Sequence, residues 1–234
     1  MDNETNFETY LYLSKSKLSL CVFETNLKEK IYEKEVLLKN DYNDLKFDEL
    51  KKFLDENIFN IEKNFNYFIN HVYIVLDAID FFLVNVSIKN DNNVNGISKE
   101  SLIYSLNEAK SQCKKTLEGK KIIHMIIDNY HINNENFSSF PKNIICESFA
   151  IDIRFICLSH NLITKIESLL KNYQISIRQI ASVKYVESYF NDANKDLFEK
   201  AREIIIGCNE NEIKFRNKMT RNQGFFEKFF NFFS

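Results

Sequence analysis

Between Lys99 and Lys171 the spacing of apolar residues changes period more than once. That change restricts the chain to folds that mix helix with sheet. Leu102, Leu106, Ala109 and Cys113 fall on one face at helical spacing, and Ser98 stands where an N-cap belongs, so a helix is predicted from about Lys99 to Cys113. Gly119 closes that segment as a turn residue. The run Lys121 to Ile127 is β-branched and of strand length, and Tyr130 to Ile132 continues it after a kink. Pro141, the only proline, opens a loop to Ile144 and Ile145. Phe149 to Cys157 then alternates apolar and polar residues like a half-buried strand. A second helix, about Asn161 to Lys171, is expected to turn Leu162, Ile166, Leu169 and Leu170 inward. The block 96–175 therefore reads as a small α+β unit of two helices and three strands.

The flanking sequence also mixes the two periods. Thr9 to Glu24 alternates and suggests two strands joined by a tight turn. Lys30 to Leu38 is another strand candidate. From Asp44 to Phe65 an amphipathic helix is predicted, with Phe47, Leu50, Phe53, Leu54, Ile58, Ile61 and Phe65 on one face. His71 to Leu76 reads as a buried strand and Phe81 to Ile88 as the next. Asn90 to Asn95 is polar and ends at Gly96, which suits a crossing between subdomains. Beyond residue 175, a helix is predicted from Lys195 to about Ile206, stopped by Gly207.

Composition narrows the functional classes. The 234 residues include 31 basic and 33 acidic side chains, so no global charge points to nucleic acid. Four glycines are few for a phosphate-binding chain, because such loops need glycine for close backbone approach. The five cysteines (Cys21, Cys113, Cys146, Cys157, Cys208) show no CxxC spacing, and the four histidines are equally scattered. Buried thiols in a reducing compartment are expected, and no metal site. The acidic, polar Met1 to Glu8 is unlike a signal peptide, and no apolar run approaches the ~20 residues that span a bilayer. Pairs such as Asp128 with His131, or Glu147 with Asp152, have no triad or zinc spacing. No catalytic residue is expected and the chain reads as not an enzyme.

The order of Ile122 to Ile127, Tyr130-His131-Ile132, Pro141-Lys142-Asn143-Ile144, Ile153 to Cys157, Tyr173 to Ile177 and Ile180-Ala181-Ser182 resembles the inserted SHS2-type subdomain, called 1C, of FtsA, the actin-like bacterial cell-division family. The resemblance implies an α/β (α+β) fold: a truncated actin-like, ribonuclease H-like subdomain with an inserted SHS2-type subdomain. In that family the first hairpin reads "GLDIGSSKI"; its Gly and Ser hold phosphate and its Asp helps organise the metal. Laid on this chain it is Leu11-Tyr12-Leu13-Ser14-Lys15-Ser16-Lys17-Leu18. Tyr12 stands at the Asp and Ser14 at the Gly, so Ser14, Lys15, Ser16 and Lys17 are a degenerate phosphate loop, and no cofactor is expected, ATP included. The family's Gly-rich "DIGGGTTD" loop, adenosine pocket and FtsZ-tail contact have no counterpart after residue 175.

The last residues, Gly224 to Ser234, would as a helix place Phe225, Phe226, Phe229, Phe230, Phe232 and Phe233 on one broad face. Lys228 lies within it and Lys218 and Arg221 precede it. This is similar to the FtsA C-terminal membrane-targeting helix, and such a helix lies in a bilayer interface with its cations toward anionic lipid. Packing of the tail as core, or binding to a partner, are the rivals. The expected division is a disordered 1–8, a partial actin-like subdomain from 9–95 and 176–207, the 1C-like subdomain 96–175, a polar linker 208–223 and the membrane helix 224–234. The implied role is a membrane-associated adaptor of the division machinery on the cytoplasmic face of the bacterial inner membrane. Its implied partners are division proteins, FtsZ among them, the membrane and further copies of itself. A PilM-like pilus-assembly or other actin-like scaffold is the alternative.

Overall fold

A computed structural model describes residues 7–38, 45–78, 80–90, 99–140, 148–190 and 194–214. The described residues form two compact units, divided between residues 80 and 81, 160 and 161, and 206 and 207, the first and third segments making one unit and the second and fourth the other.

The first unit opens with strands β1 (Phe7–Leu13), β2 (Lys17–Glu24) and β3 (Glu29–Leu37), an antiparallel meander. Helix α1 (Phe47–Phe65) follows, then β4 (His71–Leu76), which pairs parallel to β1. Much later come α3 (His160–Lys171) and β9 (Ser176–Ser182), which pairs parallel to β4. Helices α4 (Val183–Tyr189) and α5 (Leu197–Ile206) complete the unit. The sheet order is β3-β2-β1-β4-β9, with β2 alone antiparallel to the shared direction of the other strands.

Both faces of β1, β2 and β4 are buried, which is why these strands read as near-continuous apolar runs. The stripe of α1 packs inward through Leu50, Phe53, Leu54, Ile58 and Ile61, each buried side chain contributing about 1.5–3 kcal/mol. The stripe's ends, Phe47 and Phe65, are only half-buried. Asn66 ends α1 in the left-handed conformation at φ 49°. At α5 the Glu199 N–H donates to Asp196 Oδ1 (3.0 Å) and the Asp196 N–H to Glu199 Oε2 (3.1 Å), a reciprocal capping box. Arg202 Nε, nearly buried, donates to Glu8 Oε2 at 2.6 Å and ties α5 to β1.

The second unit contains β5 (Phe82–Asn90), α2 (Lys99–Thr116), β6 (Lys120–Ile132), β7 (Glu135–Phe137) and β8 (Phe149–Ser159). Its antiparallel sheet runs β5-β8-β6-β7. The α2 stripe Leu102, Leu106, Ala109 and Cys113 is buried as the periodicity predicts. It packs with Ile88, Met125, Ile127, Tyr130, Phe149, Ile151, Ile153, Phe155 and Cys157 in one core. The predicted kink after Ile127 is one of two bulges, at Ile122/His124 and Ile127/Asn129, that let a 13-residue strand bend without ending. Gly119 enters β6 at φ +69°, a conformation that a Cβ disfavours.

Three placements differ from the sequence reading. Phe82 to Asn90 pairs with β8, from Phe82 opposite Cys157 to Asn90 opposite Phe149, so it belongs to the second unit's sheet and not to the first's. The helix His160–Lys171 falls with the first unit, and its buried face is Ile163, Ile166 and Leu170, with Leu162 and Leu169 half-buried. Residues 208–214 of the expected linker are packed: Ile213 is in the second unit's core and Glu212 is 2 % exposed.

Candidate functional site

The turn between β1 and β2 stands where the resemblance puts a phosphate loop. The Ser14 N–H donates to Lys17 O at 3.0 Å. The Lys17 and Ser16 N–H groups donate to Ser14 Oγ at 2.9 and 3.3 Å, and the Ser14 hydroxyl donates to Lys17 O at 3.0 Å. Ser14 is buried and its hydroxyl is spent inside the turn. Three backbone donors that a phosphate-holding loop would present outward therefore point back into it. The Lys17 ammonium lies 5.3 Å from the centre of the Tyr12 ring and 3.3 Å from Glu35 Oε2. Tyr12 itself is buried beside Ser14, and burial pushes its phenol up. Asp77, exposed just past β4, holds this end of the sheet through its N–H to Leu13 O at 2.9 Å. The side chains do not fit a nucleotide phosphate with its metal: Tyr12 stands where the resemblance puts the carboxylate, and the Ser14 hydroxyl faces inward. Lys15 is half-buried and Ser16 exposed at the tip.

The second unit holds a polar cluster on the sheet face opposite α2. His131 Nε2 donates to Asp152 Oδ2 at 2.6 Å and His131 Nδ1 to Asn136 Oδ1 at 2.5 Å. Ser87 donates to Asp152 Oδ1, and Asn129 Nδ2 lies 3.5 Å from Asp152 Oδ2. Both ring nitrogens meet acceptors, so the Asp152 and Asn136 hydrogen bonds raise the pKa of His131. Burial works against the Asp152 carboxylate, but hydrogen bonds from Ser87 and His131 outweigh it and hold its pKa down. Ser87 bonds to the carboxylate and not to the imidazole, so the histidine does not activate the hydroxyl as a triad would. Arg154 Nη2 donates to Asp128 Oδ1 at 2.8 Å, so Asp128 is engaged by Arg154. Glu147 lies outside the described residues.

The least anticipated contact is His124 with Glu212. His124 Nδ1 donates to Glu212 Oε1 at 2.7 Å, with both side chains almost fully buried. Glu212 sits on a segment that runs antiparallel along β6: the Ile127 N–H donates to Asn211 O at 2.9 Å and the Ile213 N–H to Met125 O at 2.8 Å. Asn211 adds a side-chain bond to Ser138 O at 2.7 Å. The two partners are 88 positions apart, and no local pattern links them.

Among the described residues no three His, Cys, Asp or Glu side chains could hold a metal ion together, and no helix is long and apolar enough to cross a membrane. The predicted membrane contacts Phe225, Phe226, Phe229, Phe230, Phe232, Phe233, Lys228, Arg221 and Lys218 lie outside the described residues.

No protein-family model matches the chain, and no curated protein does. Solved structures with similar chains include the cytoplasmic domain of EpsL, an inner membrane component of the type II secretion system of Vibrio cholerae. It is 12 % identical over 77 % of this chain and 58 % of its own, with a TM-score of 0.41. A chain of the PilM-PilN type IV pilus biogenesis complex is 10 % identical over 78 % of this chain and 49 % of its own, at a TM-score of 0.48. A Bacteroides thetaiotaomicron protein with an actin-like ATPase fold is 13 % identical over 81 % and 58 %, at 0.33. This chain thus spans roughly half to three-fifths of each of those structures.

Proposed function

We propose that this chain is a non-catalytic, FtsA-like adaptor of the bacterial division machinery, peripheral on the cytoplasmic face of the inner membrane. The observation that carries the reading is the β1–β2 turn. An actin-like half whose Ser14 hydroxyl and three backbone donors close on each other keeps the scaffold of a nucleotide site without its grip on phosphate. In this reading ATP is neither bound nor turned over, and the second unit meets division proteins. The Phe-rich tail supplies weak membrane affinity that multivalency strengthens. FtsZ is one candidate among those division proteins.

A second reading is a PilM-like pilus-assembly or other actin-like scaffold without nucleotide turnover. The unit inserted between β4 and β9 suits both families, and the tail that separates them lies elsewhere. Co-sedimentation with anionic and neutral liposomes, using the full chain and a truncation after Asn222, tests the choice. Pelleting of the full chain alone, stronger with anionic lipid, is expected. Pelleting of neither form moves the second reading ahead, and ATP binding by the full chain sinks the non-catalytic premise of both.

A further inference from the structure

Helix α2 and strand β8 each bring a buried row to the same end of the second unit's core. The helical stripe of Leu102, Leu106 and Ala109 ends at Cys113. The inward row of β8, made of Phe149, Ile151, Ile153 and Phe155, ends at Cys157. After α2 the chain turns through Gly119, whose carbonyl accepts the His160 N–H at 2.9 Å, and Lys120 of β6 pairs with Ser159. That turn brings the end of α2 to the end of β8. Cys113 and Cys157 lie in one core cluster there, 1 % and 0 % exposed, and their two thiols share a hydrogen bond. Both thiols are free.

We propose that Cys113 and Cys157 are a redox-sensitive pair, which a peroxide joins into a disulfide that staples α2 to β8. The Cys113 thiolate attacks one oxygen of hydrogen peroxide, the O–O bond breaks, and the other oxygen takes up a proton and leaves as water. The Cys157 thiolate then attacks the sulfenic sulfur; the S–S bond forms, the S–O bond breaks and a second water leaves. Two electrons pass from the sulfurs to the peroxide. Burial pushes both thiols up, Cys157 to about 12, while the shared hydrogen bond lowers Cys113 and raises Cys157, so Cys113 ionises and attacks first. Near-zero exposure makes the pair slow to react while α2 is seated, so oxidation proceeds through local opening of that helix and then holds it down. The staple needs neither membrane nor division partner and stands apart from the adaptor reading.

The test treats the reduced full chain with excess hydrogen peroxide under native conditions, follows it over time, blocks remaining thiols by alkylation and maps the peptides without reduction. One dominant peptide pair, linking Cys113 to Cys157 and separated by dithiothreitol, is expected. The oxidised chain is expected to melt higher than the reduced one by about 4–16 °C, the usual gain from a disulfide in a chain of this size. Cys157→Ala, treated alike, is expected to show no gain. Cys113 and Cys157 remaining as thiols in excess peroxide overturns the proposal, as does either of them linked mainly to Cys21, Cys146 or Cys208. So does an oxidised chain that melts no higher than the reduced one, or an equal gain in Cys157→Ala.

Discussion

Replacing Glu212 by alanine separates two views of residues 209–214: a strap that matters locally, or an integral part of the second unit's core. The change leaves the His124 ring, fully buried, without the acceptor 2.7 Å from its Nδ1. Orphaning a buried polar group costs about 1–3 kcal/mol. Ile213 sits in the core next to Glu212 and is 5 % exposed, so its apolar burial resists release of the strap. Thermal unfolding should therefore shift by roughly 2–12 °C, taking about 2–4 °C per kcal/mol for a chain of this size. Hydrogen exchange adds the spatial detail. If the strap lets go, the Ile127 amide, bonded to Asn211 O, and the Ile213 amide, bonded to Met125 O, lose protection before the amides that join β6 to β8. The double change H124A/E212A should be less destabilising than the sum of its parts, by about 0.5–3 kcal/mol of coupling. Additive effects, or unchanged protection at Ile127 and Ile213, would refute the account of a paired latch.

Three other outcomes are expected. His131 has a raised pKa in the fold, so its contribution is complete below its unfolded value near 6.5 and fades as pH rises through the higher folded value. Asp152 has a lowered one, so its contribution is present above about 3.8 and fades as pH falls through the folded value. Both side chains are about a third exposed, which keeps the effect under about 1 kcal/mol; an NMR titration of the His131 ring and melts at pH 5.5 and 8, with H131A losing the difference, check it. Phe155→Ala, at a side chain with 0 % exposure in the second core, should cost about 3–5 kcal/mol in urea denaturation. Gly119→Ala should cost about 1–2 kcal/mol by the same measurement; a Cβ there meets nothing within 4 Å, so the cost is backbone conformation alone at φ +69°.

Where the pattern was local, the sequence was a sound guide. The α2 stripe from Leu102 to Cys113 and the alternation of Phe149 to Cys157 depend on side chains a few residues apart, and both are buried as read. A strand's partner is not local information. Phe81 to Ile88 has the alternation of a strand, but period two cannot say that it pairs with β8 across more than sixty positions rather than with β4. The same holds for His160–Lys171, whose buried face follows from where the chain turns back, shifting the expected Leu162 and Leu169 to the flank of Ile163, Ile166 and Leu170. Around the candidate site, that Tyr12 and Ser14 stand where the resemblance puts Asp and Gly was visible in the string. The inward closure of Ser14 was not, because it depends on which way one hydroxyl turns. His124 and Glu212 come together only once β6 and the returning segment lie side by side.

The insertion between β4 and β9 also sets a timetable for the ribosome. His71 of β4 pairs with Ser176 of β9, which is made 105 positions later. At about 5–20 residues per second, the apolar β4 waits roughly 5–20 s for its neighbour. The second unit has its own delay, since the segment bearing Glu212 emerges 88 positions after His124. Neither unit is contiguous in the chain, so neither can close while the other is still unmade. A nascent chain of this kind presents an open, charge-free strand edge for much of its synthesis, and is a natural client for chaperones that bind short extended apolar segments.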